Sequence, residues 1–375
     1  MTHAPHLLSR RQALLTAMSL APARTRAAVA FHYAAVFTPR ELAWYTRFDM
    51  LVTGAILAPA MSRKLQRSAT KLVAYEWISG FYPGDPVSAP PAWHKEVCCQ
   101  KPSWTLTEGP ITGGAAEKGK AAHWYDFGND ALIEARARNL AKRVTDAGYH
   151  GLFFDTPGFE HLPPVAQTVF RQRYPRMDYD ERQGRFLAAL RRALPAGKVL
   201  FTNQGYRHAD HLLPHADFDL TESTFTGVGE RGSTIFRQWH DPARAWESVR
   251  TPMYELIFPG LRKFPKVRMV HVNYAGTNPL DIRRAIQYGY VASLIFGHDS
   301  YLMAPAASAA EEDPIYFTDL GPAEDFWKEE PSGAVWRRFR HGIAVLNSAT
   351  RRVEIPSLNL PTLEPQRGYI FPAKL

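Results

Sequence analysis

The chain has 375 residues, 45% hydrophobic and 22% charged, which excludes a disordered protein and suffices for one α/β barrel of ~250 residues plus added segments. Its formal charge of +9 is partly local, because residues 1–28 hold Arg10, Arg11, Arg24 and Arg26 and no acid. No basic run elsewhere asks for nucleic acid. The two cysteines, Cys98 and Cys99, are adjacent and cannot staple distant parts of a fold.

The first segment, SRRQALLTAMSLAPARTRAA, sets Arg10-Arg11 before a short apolar stretch and then small residues. This is the layout of a twin-arginine export signal over residues 1–28. Neither that stretch nor any later one is long enough to span a bilayer, so an exported, periplasmic or secreted protein is expected.

Strand and helix patterns then alternate. Residues 30–37 read as a strand, and 38–48 as a helix capped by Thr38 with Pro39 in its first turn. Strands follow at 49–57 and 71–79, with a helix at 58–69 between them. A long irregular segment, 81–128, is rich in Pro, Gly and aromatic residues. The helix at 129–148 is amphipathic and closed by Gly148. It leads into GLFFDTPG, the fourth strand, which runs into Asp155 and a Pro-Gly break. A helix at 181–194, a strand at 198–204, a short helix at 206–213 and a strand at 217–224 come next. Residues 243–249 read as helical, 267–275 as the seventh strand, 278–294 as a helix and 294–300 as the eighth strand. Eight strands alternating with helices predict a (β/α)8 TIM barrel over 29–329. Residues 330–375 predict a small β-rich extension, with short strands on either side of a turn at 348–350.

In such a barrel the chemistry sits at the C-terminal ends of the strands. Asp155 and Glu222 each end an apolar strand there. A carboxylate at such a position is costly unless it is paired or used. Two carboxylates across one mouth suit glycoside hydrolysis, one protonating the leaving oxygen while the other attacks or activates water. The competing readings are a turn cap for Asp155 and an ion pair with Arg237 for Glu222. Strict alternation puts Glu222 on one face with Phe218 and Leu220.

Glu76 is a third candidate carboxylate, and Trp77 and Tyr82 open the aromatic segment that also holds Phe81, Trp93, Trp104, Trp124 and Tyr125. These rings read either as a sugar-stacking wall or as the core of a long insertion. Asn203, Gln204, Asn273, Tyr274 and Asp299 complete the polar set expected to hold sugar hydroxyls. No cofactor is expected, and the partner is a polysaccharide. A metal-dependent deacetylase built on His208, His211, His215 and Asp210 is a minor alternative. A carbohydrate-binding barrel without catalysis is another.

GLFFDT, FTNQG, DFDLTEST and HVNYAG, at strands four to seven, resemble a group of TIM-barrel glycoside hydrolases. This is the endo-α-1,4-polygalactosaminidase family with its microbial exopolysaccharide hydrolase relatives. The tail WRRFRHGIAVLNS is similar to the β extension of such barrels. The resemblance implies hydrolysis of a polysaccharide, an aminosugar-containing one included. It assigns Asp155 as acid/base and Glu222 as nucleophile. Relatives often carry a second acid where this chain has Thr156, and an acid where it has Asn273.

Overall fold

The computed structural model describes residues 28–34, 36–84, 91–240, 248–303 and 312–373. The expected export signal lies outside these but for Ala28, as does most of the expected helix at 243–249.

Eight parallel strands form one sheet in chain order. They are β1 (Val29–His32), β2 (Met50–Thr53), β3 (Lys71–Trp77), β4 (Gly151–Asp155), β5 (Val199–Asn203), β6 (Phe218–Glu222), β7 (Arg268–Tyr274) and β8 (Asp299–Met303). β1 and β8 meet, with Phe31 and Tyr301 ring centroids 6.1 Å apart, so the sheet curls into a barrel. Alternation sends every second side chain inward. Phe31 packs on Phe153 at 6.0 Å, Tyr75 on Phe153 at 5.8 Å, and Phe201 stacks on Phe218 at 4.2 Å. This aromatic layer fills the barrel below its mouth.

The helices start where the sequence places caps. In α1 (Pro39–Tyr45) the Thr38 hydroxyl accepts the Glu41 amide, and the Glu41 carboxylate accepts the Thr38 amide. α2 (Pro59–Gln66) begins on a proline, and the Asn129 side chain caps α3 (Asp130–Asp146). Asp178 caps α4 (Tyr179–Ala193), and Asn278 caps α5 (Pro279–Phe296).

The eighth strand departs from the sequence expectation. Residues 294–296 are the end of α5, which Gly297 closes at φ 77°, and the strand begins at Asp299. The second half of α5, Tyr288–Phe296, is buried on every side between the barrel and a C-terminal sheet, so its last residues imitate a strand.

That sheet is antiparallel and holds β9 (Lys328–Glu329), β10 (Ala334–Phe339), β11 (Gly342–Asn347) and β12 (Arg367–Pro372). The chain turns after β11 at 349–351, close to the expected 348–350, and a further tight turn at Arg340–His341 splits the run before it into β10 and β11. Residues 351–360 form no strand: they make a bridge from Val353 to Leu363 and a short 3-10 turn at Pro356–Leu358. Arg337 donates to the Ile295 carbonyl at 3.1 Å, tying the sheet to α5.

The segment after β3 is not irregular throughout. Gly80–Phe81, Ala121–Trp124 and Ile111–Thr112 form a small antiparallel sheet. Trp93, Trp104, Trp124, Tyr125 and Phe81 are buried within this insertion. Among the described residues no helix is long and apolar enough to cross a membrane.

Candidate active site

The mouth of the barrel brings together Asp155, Asn203, Glu222 and three tyrosines. Asp155, Asn203 and Glu222 are the last residues of β4, β5 and β6, and all three lie on the inner face. Period two therefore holds in β6: Phe218 and Leu220 fill the barrel below Glu222.

Asp155 receives donors on both oxygens. Its Oδ1 accepts Asn203 Nδ2 at 2.7 Å and the Thr156 amide at 2.8 Å, and its Oδ2 accepts the Tyr75 hydroxyl at 2.8 Å. Glu222 Oε1 accepts the same Asn203 Nδ2 at 3.1 Å, and the Tyr274 hydroxyl also bonds this carboxyl. Neither acid has an ion-pair partner among the described residues, so Arg237 does not pair with Glu222. The Arg237 Nε donates instead to the Ser223 carbonyl. Burial, and then the negative charge of Asp155, push the Glu222 carboxyl up to about 7. Burial and then the two carboxylates also push the Tyr274 hydroxyl up, which keeps it protonated. Tyr33, 38% exposed, stands on the rim with its ring 5.5 Å from that of Tyr75.

Each of these strand ends is followed by a left-handed residue that is not glycine: Thr156 (φ 48°), Gln204 (φ 58°) and Ser223 (φ 55°). For threonine, branched at Cβ, this conformation is uncommon and strained. It turns the chain sharply aside, so the last strand residue points into an open mouth. Asp219, fully buried on the outer face of β6, fastens one of these turns. It accepts the Thr202 hydroxyl and the Gly205 and Tyr206 amides, each at 2.8 Å.

Other expected residues lie elsewhere. Glu76 faces outward from β3 and is buried between Arg136 (3.1 Å) and Arg143 (3.4 Å) of α3. Asp299 opens β8 at the far end of the barrel, where it pairs with Arg268 at 2.8 Å. Both are structural ion pairs, and neither is part of the mouth. Asn273 also faces outward. Its Oδ1 accepts the Phe225 and Thr226 amides at 3.2 Å each, and its Nδ2 donates to Ser300 Oγ, so it braces the loop after Glu222. Gln204 stays at the rim, accepting Arg207 Nε at 2.6 Å. Trp77 is buried against Trp124 and Tyr82, and the Tyr82 hydroxyl accepts the Glu117 amide, so both belong to the insertion. The aromatic segment is thus mainly core rather than a sugar wall.

The three histidines considered for a metal do not converge. His211 faces Asp178 at 3.9 Å, His215 offers its carbonyl to Arg191, and Asp210 pairs with Lys263. His208 instead meets Glu160 and Asp180, with ligand-type atoms within 4.8 Å of one another. Its Nε2 lies 3.0 Å from Glu160 and its Nδ1 3.0 Å from Asp180. Burial opposes charge on this ring, but the two carboxylates outweigh it and raise its pKa to about 10. With a carboxylate at each nitrogen, the imidazolium acts as a clamp joining the loops after β4 and β5.

Sequence reasoning missed Tyr33, Tyr75 and Asp219. Tyr75 was available from parity: it is two residues before Trp77, which sits opposite Asp155 in the register of β3 with β4.

No family model matches the sequence, and no curated protein matches it. Solved structures do share its fold. The glycoside hydrolase domain of PelA from Pseudomonas aeruginosa covers 75% of this chain and 96% of its own, at 22% identity and a TM-score of 0.51. Amy13B from Eubacterium rectale covers 88% of each chain at 7% identity and a TM-score of 0.52. Cyclic alpha-maltosyl-(1→6)-maltose hydrolase from Arthrobacter globiformis covers 88% of this chain and 87% of its own, at 9% identity and a TM-score of 0.50. At these identities the likeness is one of fold: a TIM barrel of the kind seen in glycoside hydrolases.

Proposed function

We propose that the protein is a glycoside hydrolase that cleaves a polysaccharide with the Asp155–Glu222 pair and retains the anomeric configuration. The observation that carries this reading is the single Asn203 amide nitrogen shared by the two acids, at 2.7 and 3.1 Å. Two oxygens at these distances from one nitrogen lie at most 5.8 Å apart. Retaining glycosidases hold their carboxyl groups ~5–5.5 Å apart, and inverting ones ~6.5–9.5 Å.

The electrostatics favour roles opposite to those implied by the sequence resemblance. Asp155 accepts three hydrogen bonds that hold its carboxyl in place, and it is fitted to be the nucleophile. Glu222, held up to about 7, is fitted to carry a proton to the leaving oxygen at neutral pH and then to activate water. Tyr33 and Tyr274 border the space where the sugar would sit. The motifs of β4 to β7, which resemble those of the endo-α-1,4-polygalactosaminidase group, support an aminosugar-containing exopolysaccharide as the substrate class. Arg10-Arg11 with the apolar stretch after them support export.

A polysaccharide panel read by product mass and by proton NMR of the new reducing end tests this reading, using native protein, Asp155→Asn and Glu222→Gln. The expected outcome is cleavage by native protein with retained configuration, and loss in both variants. Release of reducing ends by both variants at the native rate would refute it.

A further inference from the structure

Asn203 stands between the two acids, and this deepens the catalytic reading on which it rests. We infer that Asn203 is the positioning residue of the pair: its amide sets the spacing of Asp155 and Glu222 and confines the Glu222 proton to Oε2. A primary amide has two N–H donors. One goes to Asp155 Oδ1 and the other to Glu222 Oε1. Both oxygens must therefore present a lone pair to Asn203. On a protonated Glu222 the carbonyl oxygen is the good acceptor and the hydroxyl oxygen a poor one, so Oε1 is the carbonyl oxygen and Oε2 bears the hydrogen. Asp155 receives donors only, from Tyr75, Thr156 and Asn203.

The amide is well held for this task. Asn203 is 4% exposed, and the turn that follows it is fastened to the buried Asp219 through the Gly205 and Tyr206 amides. The aromatic pair Phe201–Phe218 supports it from below. The titratable groups facing Glu222 are Asp155 from β4, Tyr274 from β7 and Tyr33 after β1. No cation faces it among the described residues. The Asn203 hydrogen bond is thus the main interaction, with that of Tyr274, that favours the ionised form of Glu222. Removing it makes the proton harder to lose.

The test is a carbon-13 NMR titration of the Glu222 carboxyl in the full-length native chain, Asn203→Ala and Asn203→Asp, with Glu222→Gln to assign the signal. The expected result is an upward shift of the Glu222 midpoint in Asn203→Ala and a larger one in Asn203→Asp, which adds a negative charge at the same size. On a cleaved substrate, Asn203→Ala is expected to lower kcat at least tenfold, to leave KM within about threefold, and to move the basic limb of the pH profile upward with the midpoint. Neutron diffraction below pH 7 is expected to show deuterium on Oε2. An unchanged midpoint in folded variants, or deuterium on Oε1, would overturn the inference. The titration needs no substrate. If the native protein cleaves no glycan, the catalytic reading falls, and the midpoints still decide what Asn203 does.

Discussion

Glu76 on β3 and Asp155 on β4 are one residue apart in register, and each interrupts an apolar strand with a carboxylate near the same end of the barrel. One step of alternation separates their fates. Glu76 faces the helices, where Arg136 and Arg143 enclose it, and it is 3% exposed. Asp155 faces the mouth, where a tyrosine, an asparagine and a backbone amide hold it without a cation. A buried acid matched by arginines is a structural tie. An acid held by neutral donors beside a second acid keeps its charge available to a substrate. Glu222 and Asp219 repeat the contrast within β6: the outer residue fastens a turn and the inner one looks into the mouth.

The largest expected effect is on rate. Asp155→Asn and Glu222→Gln each lower kcat on the order of 10²–10⁴-fold, with thermal unfolding no lower than native, as kinetics and calorimetry would show. The second effect is on stability alone. Glu76→Ala leaves Arg136 buried without its carboxylate and costs about 3–5 kcal/mol in denaturant unfolding, while kcat per folded molecule is unchanged. A large loss of kcat in folded Glu76→Ala would break the contrast.

The third effect sharpens it through pH. The Glu222 carboxyl is raised from an ordinary 4.5 to about 7, so the folded state binds its proton more tightly than the unfolded chain does. Its contribution to stability is full below pH 4.5 and is lost as pH rises through about 7. Glu222→Gln is therefore expected to melt above native protein at pH 8, with the difference vanishing near pH 4. Over the same interval, kcat/KM of native protein falls as the acid loses its proton. The smallest effect belongs to Thr156→Gly, which relieves a β-branched residue at φ 48° and raises stability by about 0.5–1 kcal/mol, less the chain entropy glycine adds.

Much of the barrel was legible because its caps and strands obey local chemistry. Thr38 with Pro39, Asn129, and Asn278 with Pro279 start helices in the sequence and in the structure alike. Strand eight was not legible, because Leu294–Phe296 is apolar on every side, and a short apolar run reads equally as strand or buried helix end. The signal against a strand was Gly297, a C-terminal helix cap. At the site, Asp155, Asn203, Glu222 and Tyr274 stand at their expected strand ends. Glu76 drew attention as a carboxylate, but parity with Asp155 selects Tyr75. Asp299 was misplaced together with its strand. The dense aromatics of the insertion carry no sign of which face water, and burial turned most of them into core.

The most direct measurement is the release of reducing ends from a cleaved polysaccharide by native protein, Asp155→Asn, Glu222→Gln and Glu76→Gln, each normalised to its folded fraction. Glu76→Gln is expected to match native protein while the other two fall by at least 100-fold. Native rates in Asp155→Asn and Glu222→Gln, or an equal collapse in Glu76→Gln, would contradict it.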